Sequence, residues 1–86
     1  MLEFSHVILG PEGLHARPVT CICSEAHLWK SSITVALGGL SVNATDLMGL
    51  MGLMGLMAKC GDELIVTVNG PDEEACCEAM RSVFDF

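Results

Sequence analysis

The stretch DELIVTVNGPDEEACCEAMRSVF, residues 62–84, places a strand directly before a helix and so points to a mixed fold. Its first part, DELIVTVNG, is predicted as a strand that ends at turn residues. PDEEACCEAMRSVF, residues 71–84, is predicted as a helix. Pro71 and three acidic residues lie at its positive N-terminal end, and Arg81 lies towards its negative end. The buried stripe of this helix is expected to contain Cys76, Cys77, Met80, Val83 and Phe84.

The N-terminal third of the chain has the same order, with a predicted strand followed by a predicted helix. EFSHVIL, residues 3–9, is predicted as a strand that the turn residues GPEG end. A helix is predicted from Ala16, with Pro18 in its first turn, where a missing N–H costs nothing. Apolar residues then recur at helical spacing, namely Val19, Ile22, Cys23, Ala26 and Trp29.

The middle of the chain is predicted to form a β-hairpin and a second helix. SSITVAL and LSVNA, residues 31–37 and 40–44, flank two glycines that are free to take positive φ. Thr45 or Asp46 can cap a helix that begins at Leu47. The complete order predicts an α+β two-layer open-faced sandwich, βαββαβα. In it, three helices cover one face of a four-stranded antiparallel sheet, within a single domain, residues 1–86.

Composition excludes several classes of protein. Eleven acidic and four basic residues among 86 give a net charge of −7, which argues against binding to nucleic acid or to anionic membrane surfaces. The apolar stretch Leu47–Ala58 is too short to cross a bilayer, and residues 1–10 lack the features of a signal peptide. Five cysteines are therefore expected to be reduced thiols, and we expect a cytoplasmic protein.

One segment of low complexity, LMGLMGLMGLM, covers residues 47–57. If it is helical throughout, its leucines sweep about 180° and its methionines extend the apolar arc around most of the helix. Part of that surface must face outward, and an adaptable, methionine-rich surface suits docking to partner proteins. The alternative is that the segment is core, with some strain from its three internal glycines.

A candidate reactive group lies in GPEGLHARPVT, residues 10–20, where His15 precedes the predicted helix start. A neutral imidazole is a nucleophile, and a pKa of about 6.5 leaves it largely neutral near pH 7. The free N–H groups of Ala16 and Arg17 and the Arg17 guanidinium favour a phosphate beside it. The sequence shows no general base, metal cluster or nucleotide loop, so it fits a carrier that accepts and releases a phosphoryl group. Alternatively, His15 merely caps the helix.

GLHARP, residues 13–18, closely resembles the signature of the HPr family, the histidine-containing phosphocarriers of the phosphoenolpyruvate-dependent phosphotransferase system. GGLSVNATDLMGLM, residues 38–51, resembles the family's stretch from the hairpin turn into the second helix. AKCGDELIVTVNGPDEEA, residues 58–75, resembles its run into the fourth strand and last helix. The similarity therefore extends over essentially the whole chain.

The resemblance implies a function and a set of site residues. His15 is expected to accept a phosphoryl group on Nδ1 from phosphorylated enzyme I and to pass it to a histidine of an enzyme IIA domain. Arg17 is expected to stabilise the phosphohistidine. Both partners are expected to dock on Leu47, Met48 and Met51. The protein is then a monomeric carrier without a cofactor, and it is not itself an enzyme.

Two departures from the family pattern stand out. Asp46 occupies the position where many Gram-positive members carry a regulatory serine, so that regulation is in doubt here. We expect Asp46 to cap the second helix, although its charge can also be read as an imitation of phosphoserine, and Thr45 is a weak substitute target. The segment from Asp46 to Gly61 is about three residues longer than usual, which predicts a longer or irregular second helix.

Two other functions are considered. A regulatory phosphocarrier of the nitrogen-related branch has the same chemistry with a different output. A thiol or histidine metal-binding module is disfavoured, because Cys21 and Cys23, or Cys76 and Cys77, diverge by about 200° and about 100° on a helix. Cys23 and Cys77 are expected to be buried as small apolar side chains, and Cys21 and Cys60 to be exposed.

Overall fold

The computed structural model describes residues 1–9, 16–53 and 61–85; the side chains of residues 16–18 lie outside the described part. The order of elements is the predicted βαββαβα. The strands and helices are β1 (Leu2–Val7), α1 (Ala16–Ala26), β2 (Ser32–Leu37), β3 (Leu40–Asn43), α2 (Leu47–Leu50), β4 (Glu63–Asn69) and α3 (Glu73–Val83).

The four strands form one antiparallel sheet in the order β1-β4-β2-β3. The last strand in sequence is therefore inserted between the first two, with Val66 opposite Phe4 on one side and Val35 on the other. Of the two hairpin glycines, Gly38 takes the left-handed conformation, with φ of +61°. The predicted antiparallel sheet is confirmed.

One face of the sheet is covered by the helices, which confirms the two-layer open-faced sandwich. Along β4 the alternate residues Leu64, Val66 and Val68 are completely buried, whereas Ile65 and Thr67 point to the other face and stay partly accessible. The helices contribute the facing layer of the core, which contains Val19, Ile22, Cys23, Ala26, Leu50, Leu53, Cys76, Cys77, Met80 and Phe84. The predicted stripe of α3 is thus buried, with Val83 partly so.

The first helix begins at Ala16, as predicted, but ends at Ala26, before Trp29. Beyond Ala26 the backbone hydrogen bonds span three residues instead of four, as in a 3₁₀ turn. Leu28 N–H donates to Glu25 O (3.0 Å), and Trp29 N–H donates to Ala26 O (3.4 Å). Trp29 still packs against the core, and its indole N–H donates to Glu25 Oε2 at 2.8 Å. The helical spacing of Trp29 thus predicts its burial correctly, but the helix ends three residues before it.

Two other predicted boundaries are corrected. The first strand ends at Val7 and not at Leu9. Ile8 bonds with the residues just before β4: its N–H donates to Asp62 O (3.0 Å), and its carbonyl accepts from Gly61 N–H (2.9 Å). The last helix begins at Glu73 and ends at Val83, inside the predicted range 71–84. Pro71 and Asp72 form the turn that leads into it.

Asp72 joins α3 to the start of β2. Its carboxylate accepts hydrogen bonds from the backbone N–H groups of Lys30 and Ser31, both at 2.9 Å, and from the Ser31 hydroxyl. Close approach of the two segments requires Gly70, since a Cβ there would lie 2.5 Å from Ser31 Cα. We call these contacts the Asp72 latch.

Candidate phosphoryl-acceptor site and docking surface

The structure places the start of α1 directly after the candidate acceptor in sequence. The helix begins at Ala16, so the backbone N–H groups of Ala16 and Arg17 belong to its first turn and have no partner within the helix. These groups carry the positive end of the helix dipole, which favours an anion at this position. His15 itself and the side chain of Arg17 lie outside the described part, so their roles stay predictions.

Asp46 caps the second helix, as predicted. Its backbone is extended, and its side-chain Oδ1 accepts a hydrogen bond from Gly49 N–H at 3.1 Å. Asp46 O accepts the first helical bond from Leu50 N–H at 2.9 Å. The aspartate at this position therefore has a structural role that needs no modification, while any regulatory role of Asp46 or Thr45 stays a hypothesis.

Helix α2 and the turn that follows it expose a set of apolar side chains that we call the docking patch: Leu47, Met48 and Met51. Their exposed fractions are 40%, 79% and 43%, whereas Leu50 and Leu53 are buried and anchor the helix to the core. Large exposed apolar side chains grouped in this way are typical of an interaction surface. The exposure agrees with the predicted docking role, which itself stays a prediction.

The backbone becomes irregular where the Leu-Met-Gly repeat continues. After Leu50, residues 51–53 form a π-helical turn, which is the kind of irregularity the extra residues predict. Residues 54–60, which include the rest of the repeat up to residue 57, lie outside the described residues. The predicted extra length is therefore untested, and so is the expected exposure of Cys60.

The first two helices meet at a contact that sequence reasoning missed. Cys23 Sγ donates to Thr45 O at 3.6 Å and lies 3.8 Å from His27 Nδ1, which in turn is 2.8 Å from Cys23 O. Cys23 and His27 are four residues apart, so helical spacing could have paired them. Only the structure shows that the pair lies beside Thr45, next to the cap of α2.

The described cysteines are free thiols with different surroundings. Cys21 is exposed, while Cys23, Cys76 and Cys77 are buried, as expected for Cys23 and Cys77. Burial raises the pKa of the Cys76 thiol to about 11, and nearby acidic groups add to the effect. In the described ranges no three His, Cys, Asp or Glu side chains gather as metal ligands do, and none of the helices there is long and apolar enough to cross a membrane.

Comparison with known proteins identifies the family. The family model for the PTS HPr component phosphorylation site matches residues 2–85. Phosphocarrier protein HPr of Treponema pallidum is 38% identical over 77 residues, which cover 90% of this chain and 84% of that protein. HPr of Mycoplasma genitalium is 33% identical over 86 residues, with 99% and 94% coverage.

Solved structures show the same fold. A Mycoplasma histidine-containing phosphocarrier protein superposes with a TM-score of 0.87 at 28% identity, covering 95% of this chain and 90% of that one. These matches show that the protein is a small phosphocarrier of the phosphotransferase system, and not an enzyme that catalyses a reaction by itself. The chain belongs to the HPr family.

Proposed function

We propose that His15 accepts a phosphoryl group from phosphorylated enzyme I and passes it to an enzyme IIA domain of a sugar phosphotransferase system. The observation that carries the proposal is the family match over residues 2–85, which includes His15 within the signature GLHARP. The start of α1 at Ala16 supports it, because the N–H groups of the first turn have no partner within the helix and directly follow this histidine in sequence.

The chemistry needs a neutral imidazole with an unprotonated Nδ1. This nitrogen attacks phosphorus as the bond between phosphorus and the donor group of enzyme I breaks. In the second step a histidine nitrogen of enzyme IIA attacks the same phosphorus as its bond to His15 Nδ1 breaks. The phosphoryl group carries close to two negative charges at pH 7. The amides of Ala16 and Arg17 and the Arg17 guanidinium would offset this charge without holding the group too tightly to leave.

Docking would bring both partners to the face that carries the docking patch. Helix α2 packs against α1, so the docking patch belongs to the same layer as the start of α1. Methionine side chains adapt to different pockets, which suits one surface that meets two partners in turn. We also propose that the protein acts as a monomer, and that it works in the cytoplasm, where thiols such as those of the described cysteines stay reduced.

The test is incubation with phosphoenolpyruvate and enzyme I, followed by mapping of the phosphoryl adduct by mass spectrometry. We expect one acid-labile, base-stable adduct on His15. It should be absent from His15→Ala and present in the matched control His27→Ala, which removes an exposed imidazole elsewhere. Arg17→Ala should accept the group more slowly with its fold intact.

An adduct that persists in His15→Ala would show that the acceptor is another residue. Equal rates for Arg17→Ala and the wild-type protein would remove the role assigned to Arg17. Running the same assay with enzyme I of the sugar system and of the nitrogen-related system separates the two branches. The proposal expects faster transfer from the sugar-system enzyme.

A further inference from the structure

Methionine is concentrated in the segment that carries the docking patch. Four of the six methionines of the chain lie in residues 48–57, and the structure describes two of these four, Met48 and Met51. Both side chains are exposed, whereas Met80 of α3 is completely buried. The two patch methionines therefore meet small solutes in the surrounding water, and Met80 does not.

The two patch methionines are neighbours on one side of the chain. Met51 N–H donates to Leu47 O and Met48 O, so the backbone is still helical at Met51. Residues three and four apart on a helix lie beside each other on its surface. A chemical change at both sulfur atoms therefore alters one continuous surface.

The groups that hold this segment to the core are of a different kind. Leu50 and Leu53 are buried, and Asp46 caps the helix through the hydrogen bond from Gly49 N–H. These anchoring side chains contain no sulfur. Oxidation of sulfur in the patch thus changes the outward side of the helix and leaves its attachment to the core in place.

Hydrogen peroxide converts an exposed thioether into a sulfoxide. The sulfur lone pair attacks one peroxide oxygen as the O–O bond breaks. Sulfur loses two electrons to the peroxide, and the departing hydroxide takes the proton of the transferred oxygen to form water. The product is a polar, chiral side chain. Burying its S=O oxygen in an apolar pocket that provides no hydrogen-bond donor is costly.

We propose that Met48 and Met51 are sites of reversible oxidation by peroxides, and that their sulfoxides weaken docking to enzyme I. Methionine sulfoxide reductases reverse the change, so the patch links phosphoryl transfer to the level of oxidant. Leu47 is not altered, so docking is reduced and not abolished. This inference rests on the proposed function, because it assumes that enzyme I docks on this patch.

The test treats the protein with hydrogen peroxide, removes the peroxide, and maps sulfoxide by mass spectrometry. We expect Met48 and Met51 to be oxidised well before Met80, with an unchanged urea midpoint. The rate of phosphorylation by enzyme I, measured below saturation, should then fall about tenfold, since a few central side chains dominate most interfaces.

Two variants show whether the sulfur atoms of the patch are responsible. The double variant Met48→Leu/Met51→Leu keeps the patch apolar, so it should keep its rate after the same treatment. Met1 is also exposed and lies outside the patch, so the double variant still acquires sulfoxide there. Met80→Leu removes one buried methionine and is the matched control, which should lose as much rate as the wild-type protein.

Thiols also react with peroxide, and Cys21 is exposed on α1. A thiol reductant returns disulfides and sulfenic acids to thiols, whereas sulfoxide needs the two methionine sulfoxide reductases, one for each epimer. The lost rate should therefore persist after the reductant alone and return after the reductases are added with it. Recovery that needs the reductases identifies methionine as the modified residue.

An equal loss of rate in the wild-type protein and the double variant would overturn the inference, and so would a loss that the reductases do not restore. Calorimetric titration into unphosphorylated enzyme I measures docking without transfer. Weaker docking of the oxidised protein, with no adduct on His15 before or after oxidation, would refute the proposed function and leave the inference standing. A His15 adduct that forms equally fast in both states would overturn the inference and leave the proposed function standing.

Discussion

At the scale of single residues, position 49 shows how tightly the cap of the second helix is built. A Cβ added to Gly49 would lie 2.5 Å from Asp46 Oδ2 and 3.3 Å from Val42 Cγ1. Glycine inside a helix normally costs about 1 kcal/mol relative to alanine. Here the glycine leaves room for the carboxylate that caps the helix, so its usual cost is offset by the hydrogen bond to Asp46.

We therefore predict that Gly49→Ala destabilises the protein, because the new methyl group displaces the Asp46 carboxylate. In an Asp46→Ala background, where there is no carboxylate to displace, the same change should stabilise by about 1 kcal/mol. Urea unfolding of the four proteins of this cycle gives the free energies. Equal effects of Gly49→Ala in both backgrounds would contradict the explanation.

Single residues were predictable where their role depends on neighbours in sequence. Asp46 could be identified as a cap because capping needs an oxygen and a helix directly after it. The contact of Cys23 with Thr45, 22 residues away, depends on how two helices pack and has no local signal. For His15 the sequence gives the chemistry and the helix start, and its role awaits the adduct experiment.

At the scale of elements, the Asp72 latch ties the start of β2 to the start of α3. The pKa of Asp72 is lowered in the folded protein, first by the hydrogen bond from the Ser31 hydroxyl and then by that from Lys30 N–H. A carboxyl group whose pKa is lower when folded stabilises the protein above its unfolded pKa of about 3.9. That stabilisation is lost as the pH falls through the folded value.

We predict that Asp72→Asn lowers the urea midpoint at pH 7 and flattens its decline below about pH 4, because the variant has no carboxylate to protonate there. The matched control is Glu74→Gln, which removes a charge from the same turn of α3 and leaves the latch in place. Midpoints measured from pH 7 to pH 3 give the comparison. An acid decline of Asp72→Asn as steep as that of the wild-type protein would show that the latch does not depend on ionisation.

The elements themselves were largely predictable, and the latch was not. Each strand and helix was expected from local patterns, and Asp72 was read only as an acid at a positive helix end. Its actual partners, Lys30 and Ser31, are 42 and 41 residues away, which no periodic pattern indicates. The same limit explains Trp29, whose spacing indicated burial but not the tight turn that ends α1.

At the scale of the whole molecule, one buried and one exposed methionine allow stability to be separated from the proposed docking. Met80 of α3 is completely buried, whereas Met48 of α2 is 79% exposed. Removing a buried methionine side chain leaves a cavity, and removing an exposed one does not. The two methionines therefore allow one substitution to be compared in two settings.

We predict that Met80→Ala lowers the free energy of unfolding by about 2–5 kcal/mol. Small domains have about 5–15 kcal/mol in total, so this loss is severe. Met48→Ala should leave the free energy of unfolding unchanged and slow phosphorylation by enzyme I about tenfold, since a few central side chains dominate most interfaces. Urea unfolding and initial transfer rates of both variants test this. A destabilised Met48→Ala with normal transfer would contradict the separation.

The single tryptophan has a practical consequence for such measurements. The chain has one tryptophan and no tyrosine, so its fluorescence excited at long ultraviolet wavelengths comes from Trp29 alone. The indole is hydrogen bonded to Glu25 and stands immediately before Lys30 of the latch. An unlabelled sample therefore contains its own optical probe, placed where the second strand is joined to the third helix.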